Sequence, residues 1–316
     1  MSAIVLAAAE LILRQVMIQD LDFLNRKFGA PGRIAFRERS DGFPVAVLAG
    51  RYGTCEVSVV GAQVLTYRPV GLGPALFVSK AARFEPGKPI RGGIPVCWPW
   101  FGKADGLPNH GFARTSRWTV VGSAYSGDET EISLRLLDDE ATRALWPHRF
   151  EAKLEIKLGE SLQLNLAMAN PGDAPFSVTQ GFHPYLLVRD LADAEIRRLG
   201  AAKVVDLLNG DKESVLSGTL TLTGAADMVV SPGSSGYVLY DRGLDRSVLV
   251  TFKGARKLVV WNPGAVGTSS ANDMESGEER RFLCVEPVCF RGESVTLKPG
   301  ETSRFSMALQ VLQGER

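Results

Sequence analysis

The chain is poor in the residues that usually build metal and redox centres, with only three histidines and four cysteines among 316 residues. The histidines are widely spaced, and no two cysteines form a Cys-x-x-Cys pair. We therefore expect no dedicated zinc site. The cysteines are expected to be buried free thiols in a reducing compartment, with a disulfide between Cys284 and Cys289 as the minor alternative.

Motifs that bind cofactors or carry a nucleophile are also missing. The Gly-Leu-Gly of residues 71–73 lacks the third glycine of a dinucleotide fingerprint. The sequence contains no Gly-x4-Gly-Lys-Ser/Thr loop, no His-Glu-x-x-His motif and no Gly-x-Ser-x-Gly elbow. We expect a protein that works without a cofactor.

Charge and hydropathy exclude two classes of partner. Lysine plus arginine total 36 against 35 acidic residues, and this balance is unlike the basic surface of a nucleic-acid-binding protein. No apolar run reaches the length of a membrane span. The apolar residues 2–13 lack a preceding basic residue and a cleavage site, so they do not predict a signal peptide, and we expect a cytoplasmic protein.

Residues 1–29 show near-helical spacing of apolar side chains and predict a helical extension. The same pattern fits a helix packed on its own domain and a helix that contacts a second copy. We therefore expect a monomer or a weak homodimer.

Beyond residue 30 the apolar period changes to two, which indicates strands. Turn signals containing Asn-Pro-Gly, Ser-Pro-Gly or Lys-Pro-Gly separate the segments. Many short strands with such turns predict one all-β domain over residues 30–316, a large antiparallel sandwich. The clearest predicted strands are residues 131–136, 153–158, 162–168, 220–222, 248–252, 258–261 and 305–312.

Residues 90–114 are the most informative stretch, because Arg91, His110 and Arg114 stand there among glycines, prolines and aromatic rings. A regular helix or strand cannot hold so much glycine and proline, and a solvated loop has no use for the aromatic residues. We expect an irregular, packed wall that fixes a few polar groups. Such a wall suits a small polar ligand such as a sugar or a sugar phosphate.

Other polar residues stand in apolar surroundings. His183 lies in a segment typical of a buried strand, where the alternative to catalysis is a satisfied core histidine. Glu286 has apolar neighbours on both sides, and the alternative to catalysis there is a buried ion pair with an arginine. Asp227 is a weaker case that could cap a turn, and His148 is expected at the surface. What survives is an acid–base site built from histidine and glutamate.

Four segments occur together in a recognisable order: residues 91–114, Phe-His-Pro-Tyr at 182–185, Val-Val-Trp-Asn-Pro-Gly at 259–264 and Cys-Val-Glu-Pro at 284–287. In these segments the chain resembles the hexose-6-phosphate mutarotases, a branch of the aldose 1-epimerases. The similarity extends from about residue 40 to the C-terminus. It implies the galactose-mutarotase-like β-sandwich, with no metal and no nucleotide.

The resemblance implies roles for single residues. His183 matches the family's catalytic histidine, Glu286 its catalytic glutamate, and Asp227 an aspartate that holds sugar hydroxyls. Pro184 stands where the family often has threonine, and Met228 where an aromatic residue or arginine often follows the aspartate. The implied substrate-binding positions are Arg91, Asn109, His110 and Arg114.

The implied reaction exchanges the α and β anomers of an aldohexose 6-phosphate, with glucose 6-phosphate the expected substrate. At reference pKa values of about 4.3 and 6.5, Glu286 would accept the C1 hydroxyl proton and His183 would protonate the ring oxygen. The forks of Arg91 and Arg114 suit phosphate oxygens, with Lys103 assisting. In the alternative, one arginine binds ring hydroxyls and the other pairs with a carboxylate.

Two other functions stay open on the residues. A non-catalytic sugar-phosphate-binding protein of the same fold would have no need for both the histidine and the glutamate. A glycoside hydrolase would use Asp227 and Glu286 as its two carboxylates.

Overall fold

The structure, a computed structural model, describes residues 20–39 and 42–316. Most of the predicted helical extension, residues 1–19, lies outside the described residues, and its boundary at residue 29 stays a prediction. Helix α1 covers Leu21–Phe28, and the carboxylate of Asp20 caps it by accepting the N–H of Phe23. Leu24 and Phe28 on its inner face join the main core.

Two further short helices are α2, Glu140–Leu145, and α3, Gly264–Ser270. Single 3-10 turns cover Leu191–Asp193 and Glu278–Arg281. None of the helices in the described ranges is long and apolar enough to cross a membrane.

Strands make up most of the regular structure. The first are β1 (Ile34–Glu38), β2 (Pro44–Gly50), β3 (Gly53–Ser58), β4 (Val64–Pro69), β5 (Val96–Cys97), β6 (Thr119–Ser126), β7 (Glu129–Leu137), β8 (Glu151–Leu158), β9 (Leu162–Ala169), β10 (Phe176–Val178), β11 (Gln180–Phe182) and β12 (Tyr185–Leu187). They are followed by β13 (Ala194–Arg197), β14 (Lys203–Asp206), β15 (Lys212–Val215), β16 (Leu220–Thr221), β17 (Ala226–Ser231), β18 (Gly236–Asp241), β19 (Arg246–Lys253), β20 (Lys257–Asn262), β21 (Phe282–Cys289), β22 (Val295–Leu297) and β23 (Thr302–Gln313).

The strands pair antiparallel in two large sheets and two small ones. The nine-stranded sheet has the order β16-β13-β18-β19-β23-β9-β8-β7-β6. The eight-stranded sheet has the order β15-β14-β17-β20-β21-β11-β5, and β12 also pairs with β21. Strands β1 to β4 form a four-stranded sheet, and β10 pairs with β22. The predicted antiparallel all-β architecture is confirmed.

The main core lies between the two large sheets. In β8 and β9 buried and half-exposed residues alternate strictly, so leucine and isoleucine point inward while lysine and glutamate point outward. Side chains from β8, β9, β20 and β21 belong to one hydrophobic cluster. The Tyr237 hydroxyl donates to the Val285 carbonyl oxygen across the core, 2.7 Å away. The two sheets therefore form a sandwich.

The predicted strands are all present, but no strand was predicted before residue 131, where β1 to β6 lie, and β10, β13 to β15, β17, β18 and β22 were not predicted either. Strand β2, Pro-Val-Ala-Val-Leu-Ala-Gly, shows why, because it is apolar along its whole length and carries no alternation to detect.

The four cysteines are buried free thiols, as expected. The disulfide considered as an alternative is excluded by geometry. Cys284 and Cys289 lie on the same strand, β21, five residues apart, so their side chains project from opposite faces.

Candidate active site

Strand β21 supplies the carboxylate of the site. The whole strand is buried, and its two faces have different surroundings. Leu283 and Val285 point into the main core, whereas Cys284, Glu286 and Val288 face the other side of the sheet. Alternation along the strand therefore turns Glu286 away from the core and into a cavity on the outer face.

His183 reaches the same place through strand register. Gly181 in β11 pairs with Val288, and Tyr185 in β12 pairs with Cys284, so His183 between these strands stands opposite Glu286. Directly opposed residues on one face are neighbours. His183 Nε2 lies 3.4 Å from Glu286 Oε1, and we call these two residues the buried pair.

The buried pair has unused hydrogen-bonding capacity. Only 6% of His183 and 1% of Glu286 are exposed. Within the described residues, His183 Nδ1 and Glu286 Oε2 have no hydrogen-bond partner. Buried polar atoms of this kind call for a partner such as a ligand or an ordered water. No arginine among the described residues forms the buried ion pair with Glu286 that was the alternative to catalysis; its carboxyl instead faces the His183 imidazole.

Burial changes the protonation expected for the pair. Removal from water raises the pKa of Glu286 well above 4.5, and the negative charge of Asp227 acts in the same direction. Burial also lowers the pKa of His183 well below 6.5, helped by His110 and Arg114. Both shifts run against the expectation of an ionised glutamate beside a histidine that titrates near neutrality. Low dielectric disfavours both charged forms, so burial favours a protonated carboxyl beside a neutral imidazole.

Residues 90–114 form the irregular wall that their composition predicts. Only the two residues of β5 are a strand there, and Trp98, Phe101 and Phe112 are at least 95% buried. Gly111 passes directly over the backbone of Trp98: a Cβ at residue 111 would lie 2.0 Å from the Trp98 carbonyl oxygen. At φ +72°, only glycine fits this close approach.

His110, next to this glycine, is held as a neutral hydrogen-bond donor. Its Nδ1 accepts the Gly102 N–H at 3.3 Å, which leaves the proton of the neutral ring on Nε2. Burial, together with the charges of Arg114 and Arg91, lowers the pKa of His110 to about 3. The ring stands edge-on to that of His183, with centroids 5.6 Å apart.

The two predicted arginines have different partners. Arg91 Nε lies 3.2 Å from Asp273 Oδ2, and its Nη1 donates to the Tyr185 hydroxyl at 3.2 Å. Arg114 Nη2 donates to the Asn109 carbonyl oxygen at 2.7 Å, which ties both residues to one loop. The alternative in which one arginine pairs with a carboxylate thus applies to Arg91.

All seven predicted site residues line one cavity of about 590 Å³. Asp227 reaches it from β17, where it pairs in register with Trp261 of β20 and is half-buried. Burial raises the pKa of Asp227, and the nearby cations Arg291 and Lys103 oppose that shift. The cationic side chains of the lining are Arg91, Lys103, Arg114 and Arg291, and its carboxyl groups are those of Asp227, Asp273 and Glu286.

Four positive side chains face three carboxyl groups in the lining, and burial favours the neutral form of one of the three, Glu286. The lining therefore carries a surplus of positive charge, which a small anion matches.

Cys284 is a thiol beside the buried pair. One ligand atom from each of Cys284, His183 and Glu286 lies within 4.8 Å of the other two, a spacing from which a metal ion could be held. A metal binds the thiolate, whereas burial raises the pKa of this thiol well above its ordinary value. The neutral, protonated set fits proton transfer better than metal ligation.

Three polar residues of the cavity, Tyr185, Asp273 and Arg291, were not predicted from the sequence. Tyr185 stands inside the Phe-His-Pro-Tyr segment, so its proximity to His183 was the available signal. Asp273 and Arg291 lie in polar loops that resemble many others in the chain. No local pattern distinguishes a loop residue that folds over a cavity from one that faces water.

The fold and the site together define a class of protein, the mutarotase-like antiparallel β-sandwiches with a histidine–glutamate pair facing a polar cavity. Residues 45–310 match the family model described as aldose 1-epimerase. The chain belongs to the aldose 1-epimerase family and is therefore an epimerase.

Individual relatives agree with this assignment. A protein of Salmonella typhimurium, named as a candidate glucose-6-phosphate 1-epimerase, is 34% identical over 72% of this chain and 77% of its own length. The crystal structure of a candidate mutarotase from the same species superposes with a TM-score of 0.84 at 28% identity, covering 96% of this chain and 99% of that one.

A galactose mutarotase related enzyme from Lactobacillus acidophilus has a TM-score of 0.69 at 15% identity. It covers 86% of this chain and 100% of its own, and it shows the shared fold alone.

Proposed function

We propose that this chain interconverts the α and β anomers of an aldohexose 6-phosphate, with glucose 6-phosphate as the substrate to test first. The observation that carries the proposal is a buried histidine–glutamate pair, 3.4 Å apart, facing a cavity whose cations outnumber its carboxylates. The name of the Salmonella relative, a candidate glucose-6-phosphate 1-epimerase, supports the same substrate.

The proximity of the buried pair fits the chemistry of anomer exchange. The C1 hydroxyl and the ring oxygen are bonded to the same carbon, so an acid and a base that serve them must lie close together. In ring opening, Glu286 takes the hydroxyl proton while His183 gives a proton to the ring oxygen, and the C1–O5 bond breaks. Rotation about C1–C2 then exposes the other face of the aldehyde. Closure with the proton transfers reversed gives the other anomer.

The proton count of the pair does not change in this cycle. Ring opening converts a carboxylate and an imidazolium into a carboxylic acid and a neutral imidazole, and closure converts them back. Burial favours the neutral form in the free protein. An anion near His183 opposes that preference, because negative charge stabilises the imidazolium. The phosphate of the substrate would therefore favour the protonated form of His183, the acid that opens the sugar ring.

The polar ends of the cavity suit the two ends of such a sugar. Asp227, half-buried in the same cavity as Glu286, would accept hydrogen bonds from sugar hydroxyls near C1. Arg91 donates to the hydroxyl of Tyr185, whose ring stacks on His183, and Arg114 is hydrogen-bonded to Asn109, the neighbour of His110. We assign the phosphate to this arginine side, because guanidinium forks match phosphate oxygens.

The test is the rate of anomer exchange of α-glucose 6-phosphate, followed by polarimetry or exchange NMR with the wild type and with Glu286→Gln. We expect the wild type to accelerate exchange and the variant to lose most of that acceleration. Equal rates for both proteins would contradict the proposed roles. Tight binding without exchange would instead favour a sugar-phosphate-binding protein, and release of reducing sugar from a glycoside would favour a hydrolase.

A further inference from the structure

Tyr185 occupies a position between the buried pair and the arginine side of the cavity. Its ring stacks on the His183 imidazole, with centroids 4.8 Å apart and planes 11° from parallel. Its hydroxyl lies 3.2 Å from Arg91 Nη1, and the residue lines the cavity although only 3% of it is exposed. We propose that Tyr185 determines specificity for phosphorylated sugars, its ring holding His183 and its hydroxyl donating to the phosphate.

The hydroxyl has a proton to give. A phenol oxygen accepts hydrogen bonds and carries one donor, and here Arg91 donates to the oxygen. Among the described residues, the structure gives the hydroxyl no acceptor for its own proton. Burial raises the pKa of Tyr185 further above 10, so the group stays protonated at any working pH. Its free donor is therefore available to a ligand in the cavity.

The covalent structure of the substrate indicates which group of the ligand accepts the hydrogen bond of the Tyr185 hydroxyl. This step rests on the proposed function. In a hexose 6-phosphate the ring oxygen is bonded to C5, and the phosphate is carried by C6, the next carbon out from C5. The group that protonates the ring oxygen, His183, therefore lies on the phosphate side of the sugar. Tyr185 stacks on His183 and is hydrogen-bonded to Arg91, whereas Asp227 stands on β17, on the Glu286 side in the strand order β17-β20-β21-β11.

Arg91, beside Tyr185, is held by two hydrogen bonds that leave part of its guanidinium group free. Asp273 Oδ2 accepts from Nε, and the Tyr185 hydroxyl accepts from Nη1. The structure gives Nη2 no partner among the described residues, which leaves that end of the guanidinium for phosphate oxygens. Arg91 and Tyr185 then act as adjacent donors in fixed orientation, which a phosphate with several acceptor oxygens can use together.

The buried carboxylate of Glu278 connects the segment that contains Ser79 with the loop that contains Asp273, and both segments contact Arg91. Glu278 Oε2 accepts from the Ser79 hydroxyl at 2.6 Å and from the Glu275 N–H at 2.9 Å. Ser79 in turn donates its N–H to the Arg91 carbonyl oxygen at 3.0 Å. One side chain thus links the backbone of Arg91 to the loop that carries Asp273, and the donor group is preorganised.

The decisive variant is Tyr185→Phe, which keeps the ring on His183 and removes the hydroxyl. For glucose 6-phosphate we expect kcat/KM to fall about 10- to 100-fold, mainly through KM, as for a lost hydrogen bond to a charged group. Exchange of unphosphorylated glucose should change less than about threefold. The dissociation constant of inorganic phosphate, measured by calorimetry, should rise by a factor similar to that of KM.

Two further variants separate the roles of ring and hydroxyl. Tyr185→Leu also removes the ring, so kcat should fall for both sugars. Tyr240→Phe is the matched control, because Tyr240 lies on β18 of the other large sheet and outside the cavity lining. Thermal unfolding of each variant checks that it is folded.

Equal losses on both sugars in Tyr185→Phe, or unchanged phosphate affinity, would overturn the inference. The failure of the proposed function gives a different pattern. If the wild type did not exchange the anomers of any hexose 6-phosphate, the proposed function would be wrong. A comparison of the phosphate affinities of wild type and Tyr185→Phe would still test whether the Tyr185 hydroxyl donates to phosphate. Phosphate affinity that falls in the Tyr185 variants and is kept in Tyr240→Phe would support the proposed donor.

Discussion

Glu286→Gln separates catalysis from stability, because glutamine has nearly the shape and hydrogen-bonding groups of a protonated glutamate. The structure holds Glu286 99% buried with its pKa raised well above 4.5, first by burial and then by the charge of Asp227. The substitution therefore removes a proton acceptor without removing a charge from the folded protein near neutrality. We expect exchange of glucose 6-phosphate to slow about 10²- to 10⁴-fold, the usual contribution of a positioned base.

The stability of the same variant follows from proton linkage. Above pH 4.5 the unfolded wild type ionises this carboxyl, whereas the folded protein keeps it protonated until the raised pKa is reached. The folded state therefore binds more protons, and this group makes the wild type less stable as pH rises through that window. Glutamine cannot ionise. The free energy of unfolding of the variant minus that of the wild type should increase by up to about 1.4 kcal/mol per pH unit.

Denaturant unfolding of both proteins at pH 5, 6 and 7 measures this difference. The control is Glu275→Gln, which removes an exposed carboxylate at the surface. A Glu286→Gln difference that stays flat with pH would show that the folded protein holds an ionised carboxylate. In that case removal of the ion pair should destabilise the variant by about 3 to 5 kcal/mol. Either result would refute the assignment of a neutral pair.

Three shorter predictions follow from the same geometry. The pH profile of kcat/KM, measured by exchange NMR, should be bell-shaped and broad: the rate falls in acid where the buried pair gains a second proton, and in alkali where it loses its last one. Arg114→Lys keeps the charge but loses the fork, so kcat/KM for glucose 6-phosphate should drop about tenfold or more while that for glucose changes less; equal drops would place the phosphate elsewhere. Gly111→Ala should lose more than about 3 kcal/mol of stability in denaturant unfolding, because its Cβ would lie 2.0 Å from the Trp98 carbonyl oxygen. Gly106→Ala has nearly the same positive φ but open space around it, and should lose only about 1 kcal/mol.

Local pattern was sufficient for much of the architecture. In strands such as β8 and β9, polar and apolar residues alternate with a period of two, because one face meets water and the other meets the core. Strands β2 and β21 are apolar on both faces, so periodicity alone could not say which way their side chains point. For β21 that orientation decides whether Glu286 meets the core or the cavity.

The site divides in the same way. Residue type and motif order, together with the family resemblance, were sufficient to select His183, Glu286 and the two arginines. The sequence could not supply the 3.4 Å approach of the buried pair, because it arises from the register of β11 and β12 against β21.

Protonation state and the choice of supporting residues depended on the tertiary structure for a physical reason. A pKa depends on how completely water is excluded and on which charges from distant segments come close, and the linear chain specifies neither. Asp273 meets Arg91 across 182 residues, and its loop looks ordinary in the sequence. Composition and motifs thus determined which groups the protein has for chemistry. Folding decided which of them are charged, which are paired, and which remain free for a ligand.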